Sequence, residues 1–317
     1  MNNRQALDTV LNQIREPVYF AQYLTSFGYD VNKKFHCPNP DHPDKHPSAG
    51  VIRQSNRGWC FSCQTSFDIF DLCVWLEGKP ASGPGWVTET VKYLADRYAI
   101  PFDAPDLTAE ELREVEVISA YSHAYQIIRH VADKDLRPLV KARVDELQYA
   151  QGLRYKLGIG AVASYEDYLH RMTSQYKHSL QLLQDCDLAD GKDATGSVHF
   201  NASRIFAADT LIYTIRDVDG MPVGFSARDL LYEQRQAEYD AGTLKYMPKK
   251  YSHTRDQEKG TLFAKKTLLY NLDFAKKFDG PITVVEGNPD CVTLYGGGEL
   301  GTVATLGTAF TREHLDI

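Results

Sequence analysis

Four ligand-type side chains between Cys37 and Cys63 constrain this chain more than any other stretch. The segment reads C-P-N-P-D-H-P-D-K-H-P-S, then a short run, then W-C-F-S-C. Cys37, His42, Cys60 and Cys63 offer three sulfurs and one nitrogen. Such a set, arranged in two knuckles, suits a tetrahedral zinc ion with every position closed by protein. Seventeen residues separate His42 from Cys60, enough for a small antiparallel sheet to carry both knuckles. The competing reading is a redox pair of Cys60 and Cys63. It lacks the βαβ context such pairs need and leaves Cys37 without a role.

A chain of 317 residues, 43% hydrophobic and 24% charged, predicts two or three globular domains and excludes wholesale disorder. Its net charge of −7 means that a nucleic-acid partner would meet a local basic patch. Three of the six cysteines, Cys73, Cys186 and Cys291, lie outside the zinc set. An odd, scattered remainder does not form a secreted disulfide framework, and these three read as small buried hydrophobes. The N-terminus has no apolar signal segment, and no apolar run approaches the ~20 residues of a membrane span. These features predict a cytoplasmic protein without a membrane partner.

Residues 5–28 show helical spacing broken at Pro17. Phe35–Val51 and Gly58–Phe61 read as short strands flanking the knuckles. Asp68 is placed to cap a helix whose buried face is Ile69, Leu72, Cys73 and Leu76. Val87, Val91, Leu94, Ala95 and Tyr98 predict another helix, stopped by Ile100-Pro101. P-F-D-A-P-D-L-T, residues 101–108, is the best linker, so a first domain is expected over 1–103. T-A-E-E from Thr108 is a capping-box pattern opening a long helix with Leu112, Val115, Val117, Ile118, Tyr121 and Tyr125 inward. Arg154–Val162 reads as a helix end running into a strand. Leu211–Ile215 reads as a strand leading into a hairpin that turns at Asp219-Gly220.

From Leu244 to Lys266 seven basic residues oppose two acids, a net +5, with Tyr246 and Tyr251 interleaved. Basic groups bind phosphates and aromatic faces stack bases; a solvated charged loop has the same composition. Near the end, Ile282–Val285 reads as a strand buried on both faces. A short helix, a glycine turn and a second strand at Thr302–Leu306 complete a βαβ unit. Glu286 falls at the carboxyl end of the first strand, with Asp290 four residues on, a pattern that suits a Mg2+ site or a helix-capping acid pair. No phosphate-binding G-K-[ST] follows the glycines.

These stretches together resemble the DnaG-type bacterial and phage DNA primases, with departures closer to the phage type. The first segment is similar to the primase zinc ribbon, C-P-x-H…P-S-F paired with C-F-x-C-x-x-x-G-D. The resemblance implies His42, rather than His36 or His46, as the nitrogen ligand. Two extra residues separate Cys37 from His42, Ala49 stands where the family has Phe, and Phe67 where it has Gly. The middle, R-I-F…I-R-D-V-D-G-M-P-V-G-F-S-A-R…L-K-Y-M-P…L-F-A-K-K-T-L-L-Y-N-L, is similar to the basic half of the primase polymerase domain. By position, Arg204, Arg228, Lys245, Tyr246 and Lys265 would hold template and incoming nucleotides. V-V-E-G-N-P-D…L-G-T-A-F-T looks like the opening of the Toprim metal-binding fold, with Asn288 in place of its usual aromatic residue. The implied fold is multidomain α+β. It comprises a zinc ribbon (1–103), the basic part of an α+β polymerase domain (104–280) and an incomplete α/β Toprim subdomain (281–317).

The resemblance implies a nucleotidyltransferase, a DNA-directed RNA polymerase that makes short RNA primers on single-stranded DNA during replication. Its cofactors would be structural Zn2+ and catalytic Mg2+ or Mn2+, and Glu286 and Asp290 would be the catalytic pair, Glu286 holding magnesium. Single-stranded DNA, nucleoside triphosphates and a replicative helicase are the implied partners, in the host cytoplasm if phage-encoded. Only thirty-one residues follow Glu286, and none contains the family's later D-x-D pair. Two metal ions need several carboxylates. The expectation is therefore a truncated or split primase, weakly active alone, with a second polypeptide as one way to complete the Toprim fold. The alternative is a non-catalytic zinc-ribbon protein that binds single-stranded DNA or modulates replication.

Overall fold

The computed structural model describes residues 3–306 and 310–315, except 41, 43, 53–54, 64, 82–84, 103–107, 130, 132 and 257–261. Most of the expected linker, the middle of the 78–85 turn, Glu258 and Lys259 of the basic stretch, and 307–309 lie outside the described residues. The chain forms two compact units, Met1–Glu116 and Val117–Ile317.

The first unit opens with α1 (Asn3–Ile14) and α2 (Pro17–Ser26). Pro17 starts the second helix because its missing N–H is one that no helix satisfies at its first turn. Strands β1 (Ala49–Val51), β2 (Gly58–Cys60) and β3 (Ser66–Phe67) form an antiparallel sheet in that order. The strand expected from Phe35 shrinks to Ala49–Val51, with a single bridge from Phe35 to Ala49. The intervening residues bend instead to bring the first knuckle round. α3 (Ile69–Glu77) is capped as expected: the Asp68 carboxylate accepts from the amides of Phe70 and Asp71, and Asp71 caps back. A cap of this kind contributes about 1 kcal/mol. The next helix is π-helical over Trp86–Val91 and continues as α4 (Lys92–Arg97). Ile14, Phe20, Leu24, Phe67, Leu72, Val87 and Leu94 are fully buried in one core beneath the sheet.

The second unit takes in most of α5 (Ala109–Arg129), whose start is closed by the Thr108–Glu111 capping box. Its buried face is Val117, Ala120, Tyr121, Ala124, Ile127 and Ile128, so Leu112 and Val115 are only half-buried. There follow α6 (Pro138–Glu146), α7 (Gln151–Leu157), β4 (Ile159–Gly160), α8 (Tyr165–His170), α9 (Leu180–Asp185), β5 (Gly191–Lys192), β6 (Val198–His199) and α10 (Ala202–Ile205). Gly158 ends α7 in the left-handed region (φ 69°), which lets the chain turn straight into β4. β7 (Thr210–Arg216) and β8 (Pro222–Asp229) form the expected hairpin, with Gly220 at φ 88°. α11 (Tyr232–Asp240) leads on to β9 (Tyr251–His253), and the main sheet runs β4-β7-β8-β9.

Every residue of β7 is buried. Ile212 faces a core with α5, α8, α9 and α10, while Leu211, Tyr213 and Ile215 face a core with α6 and α7. The chain then forms α12 (Leu272–Ala275), β10 (Thr283–Val285), α13 (Asn288–Gly296) and β11 (Thr302–Ala304). β10 and β11 pair in parallel, as the βαβ reading requires. Arg216 of β7 makes a buried ion pair with Asp273 of α12 at 2.9 Å, tying this element to the main sheet. One expectation fails here. β10 is not buried on both faces: Ile282 and Val284 are 45% and 42% exposed. Among the described residues β10 pairs only with β11, whereas β11 is buried and bridges to Tyr270 on its other side.

Candidate metal centre and nucleic-acid interface

Two turns of the first unit bring the four sequence-selected ligands together. β2 ends at Cys60 and turns through Cys63, while the loop after Phe35 returns Cys37 and His42. All four ligand atoms lie within 4.8 Å of one another. Cys37 Sγ is 3.8 Å from Cys63 Sγ, and Cys60 Sγ is 3.7 Å from His42 Nδ1. A tetrahedron with metal–sulfur bonds of about 2.3 Å has edges of about 3.8 Å. The donor set and its spacing thus fit zinc. The hydrogen bond from Cys37 is the largest influence on the Cys63 thiol and pushes it down to about 5. His36 turns elsewhere, its Nδ1 3.0 Å from the Asp44 carbonyl oxygen.

Asp44 was not singled out in the sequence, yet it builds the first knuckle. Its Oδ2 accepts from the Cys37 amide (2.9 Å), the Ser48 hydroxyl (2.7 Å) and the Ser48 amide (3.2 Å). Desolvation opposes its charge, but the hydrogen bonds from Cys37 and Ser48 hold the carboxyl below its ordinary range. Ser48 Oγ also lies 3.1 Å from Cys60 Sγ, so one carboxylate orders both knuckles. The D-K-H-P-S string was the available signal.

In the second unit Glu286 stands exposed just past β10, and Asp290 stands exposed in the first turn of α13. Both are at the carboxyl end of the parallel strands, where α/β sheets place their sites. Among the described residues no third His, Cys, Asp or Glu joins them within ligand distance. Two such carboxylates suit an oxygen-seeking, water-retaining cation such as Mg2+.

Strand β9 sets an aromatic ring against the basic residues. The Arg228 guanidinium is 5.4 Å from the Tyr251 ring centroid and 5.8 Å from that of Tyr232. Its Nη2 donates to Glu233 at 3.1 Å, while Nη1 is buried with no partner among the described residues. Burial raises the Tyr251 phenol first; the Arg228 and Arg143 charges lower it and the Asp290 carboxylate raises it. Tyr149 donates to the Pro289 carbonyl at 3.0 Å and pins the start of α13. His253, two residues along β9, is pushed down to about 4 by burial, then by Lys265 and Lys249. Lys265 is further held by its amide, which donates to Asp256 at 2.8 Å.

Arg204 is exposed on α10, and its neighbour Asn201 donates to the His253 carbonyl at 2.7 Å, which places α10 beside β9. Lys245 and Tyr246 lie on the exposed segment before β9, the ammonium 5.1 Å from the ring centroid. No contact of either with Glu286 or Asp290 is present among the described residues. The insertion at Leu231–Thr243 is mostly helix α11, anchored by Arg235 to Asp229 (2.7 Å) and to Asp209.

No family model matches the chain. The chain is 27% identical over 293 residues to the DNA primase of Synechococcus elongatus, covering 88% of this chain and 38% of that protein. It is 24% identical over 322 aligned positions to the DNA primase of Lactococcus lactis, covering 98% of this chain and 46% of that protein. The zinc-binding and RNA polymerase domains of the Aquifex aeolicus primase superpose with a TM-score of 0.60 at 20% identity, over 98% of this chain and 68% of that one. The chain is thus similar in sequence to DNA primases and shares the fold of primase zinc-binding and RNA polymerase domains. The single superposition takes in both compact units, so the ribbon and the basic sheet occur in the primase order. The RNA polymerase domain of the Mycobacterium tuberculosis primase also superposes, with a TM-score of 0.50 at 22% identity over 63% of this chain and 57% of that one. The chain spans less than half the length of the curated primases it matches.

Proposed function

We propose that this chain supplies the template-binding and nucleotide-binding parts of a DNA primase, a DNA-directed RNA polymerase that makes short RNA primers on single-stranded DNA. The observation that carries this reading is the Arg228 guanidinium set over the Tyr251 ring where β8 pairs with β9, in a chain that superposes on a primase fold. Zinc at Cys37, His42, Cys60 and Cys63 would hold the ribbon in a shape that contacts template. Arg204, Lys245 and Lys265 would neutralise phosphates, and Tyr246 would stack on a base. The partnerless Arg228 Nη1 is a donor suited to a triphosphate oxygen. Glu286, with Asp290 beside it, would hold Mg2+ or Mn2+. When bound, the ion would activate the primer 3′-hydroxyl and stabilise the leaving pyrophosphate. The three parts proposed are a ribbon over 1–103, a basic polymerase part over 104–280 and the start of a Toprim subdomain over 281–317.

Two carboxylates are few for a two-metal site, so synthesis by residues 1–317 alone should be weak. A replicative helicase is the partner this reading calls for, in the cytoplasm. Primer synthesis from nucleoside triphosphates on single-stranded DNA, with Mg2+ and with Glu286→Gln, tests the assignment. Weak Mg2+-dependent synthesis abolished by Glu286→Gln supports it. Binding of DNA with synthesis indifferent to Glu286→Gln refutes the catalytic assignment and leaves the non-catalytic DNA-binding alternative.

A further inference from the structure

We propose that Phe200 is a base-stacking platform beside the basic edge of β9, deepening the template-binding reading on which it rests. Phe200 is 66% exposed, the most exposed phenylalanine among the described residues. One exposed apolar side chain is ordinary by itself. Here the chain on both sides of it is anchored. His199 Nε2 lies 2.8 Å from Asp193 Oδ2 and 2.6 Å from Arg255 Nη1. Arg255 donates through its amide (2.8 Å) and Nε (3.1 Å) to the fully buried Asp187 carboxylate. Asn201, on the other side of Phe200, donates through Nδ2 to that same carboxylate at 2.7 Å.

The consequence is an aromatic ring presented to solvent from a backbone flanked by Asn201, bonded to the buried Asp187 carboxylate, and by His199, tied to that carboxylate through Arg255. Such a ring gives up little freedom when a flat partner covers it. Its surroundings specify the partner's charge. Asn201 also donates to the His253 carbonyl, and Lys249 and Lys265 act electrostatically on His253. Arg204 is exposed four residues beyond Phe200. The nearby acids Asp193 and Asp187 are already engaged by His199, Arg255 and Asn201, so a fixed exposed aromatic with the exposed Arg204 four residues on fits a strand of unpaired nucleotides, with phosphates on the cations and a base on the ring. Duplex DNA keeps its bases stacked on one another and offers no free face.

Binding of fluorescently labelled oligothymidylate, and of a matched strand carrying abasic sites, tests the proposal by anisotropy at several salt concentrations. Phe200→Ala should weaken binding of oligothymidylate about 5- to 100-fold, the range for losing one base–aromatic stack, with the salt slope unchanged. On the abasic strand wild type and Phe200→Ala should bind alike. Phe200→Trp should keep the affinity and add an emission, over that of wild type, which oligothymidylate quenches. Equal affinity of wild type and Phe200→Ala for oligothymidylate overturns the proposal and leaves the basic surface standing. An equal loss on both strands also overturns it, since the ring would then act through something other than a base. If wild type binds neither strand, the template-binding reading falls too.

Discussion

Replacing Gly58 with Ala sets a methyl group where a phenyl ring already lies. A Cβ at Gly58 would sit 2.3 Å from Cζ, 2.4 Å from Cε2 and 2.9 Å from Cε1 of Phe67. Ordinary contact begins near 3.4 Å, so the ring or strand β2 must move by about 1 Å. The ring has nowhere to go. Phe67 is fully buried, with Phe20, Trp75 and Phe35 at centroid distances of 6.0, 5.6 and 6.5 Å. Overpacking of this kind costs about 1–3 kcal/mol, and the upper half is expected because three ring atoms clash at once. A shift of β2 also displaces Cys60, two residues on, and loosens the metal cluster. Trp59, Trp75 and Trp86 are the chain's three tryptophans and all lie in the first unit, so their fluorescence during urea unfolding reports that unit alone. Gly58→Ala should lower the urea midpoint by about 2–3 kcal/mol equivalent and speed transfer of zinc to a chromophoric chelator. Adding Phe67→Leu, which shortens the obstructing ring, should restore part of the loss, a favourable coupling between the two sites. A Gly58→Ala protein within about 0.5 kcal/mol of wild type would refute the packing argument.

Three further outcomes follow from the same structure. Metal analysis should find zinc in the wild-type protein and its loss in Cys60→Ser; zinc-free wild type would defeat the ribbon assignment. His123 and His178 meet at 2.8 Å, and burial pushes His178 down to about 4 and holds His123 well below its usual value. Both are neutral in the fold, while the unfolded chain takes up protons near pH 6.5. Stability is therefore complete above about pH 6.5 and lost as pH falls toward 4, by about 3 kcal/mol from His178 alone. His178→Asn should make the fall of urea midpoints, followed by circular dichroism across that window, shallower, the remainder coming from His123 and His253, and a wild type already flat there would contradict the reading. Lys245→Ala and Lys265→Ala should each weaken single-stranded DNA binding and reduce its salt slope by about 1; an unchanged slope returns the 244–266 segment to a solvated loop.

Local chemistry was readable where the partners are close in sequence. The Asp68 and Thr108 caps, the break at Pro17, the Gly158 helix end and the Asp219-Gly220 hairpin each depend on contacts within a few residues, and the structure has all of them. Errors came where the neighbour is distant. Val284 is as apolar as Ile212, yet among the described residues one lies on a strand paired only with β11 and the other in the middle of the sheet. Nothing in V-V-E-G states whether another strand will lie beside it. The hairpin β5–β6 went unnoticed because its residues are mostly polar; its turn is held locally by Asp193, whose Oδ1 accepts from Thr195 and Ser197, and the distant Arg255 reaches it at His199.

By itself the sequence determined the ligand set. Cys37, His42, Cys60 and Cys63 are named by type and spacing, because a soft tetrahedral ion needs those atoms and short loops bring them near. It also marked Glu286 as a strand-end carboxylate, since a β-branched run followed by E-G can be read without neighbours. Tertiary structure decided what stands around them: Asp44 bridging both knuckles, Arg228 over the Tyr251 ring, and the buried Asp187 bonded to Asn201 and Arg255 beside the Phe200 segment. Apart from Asp44, whose partners lie four and seven residues away, those contacts join residues more distant in sequence. Their energies depend on burial and on partners that only the folded chain brings together, and no local pattern of residues encodes either.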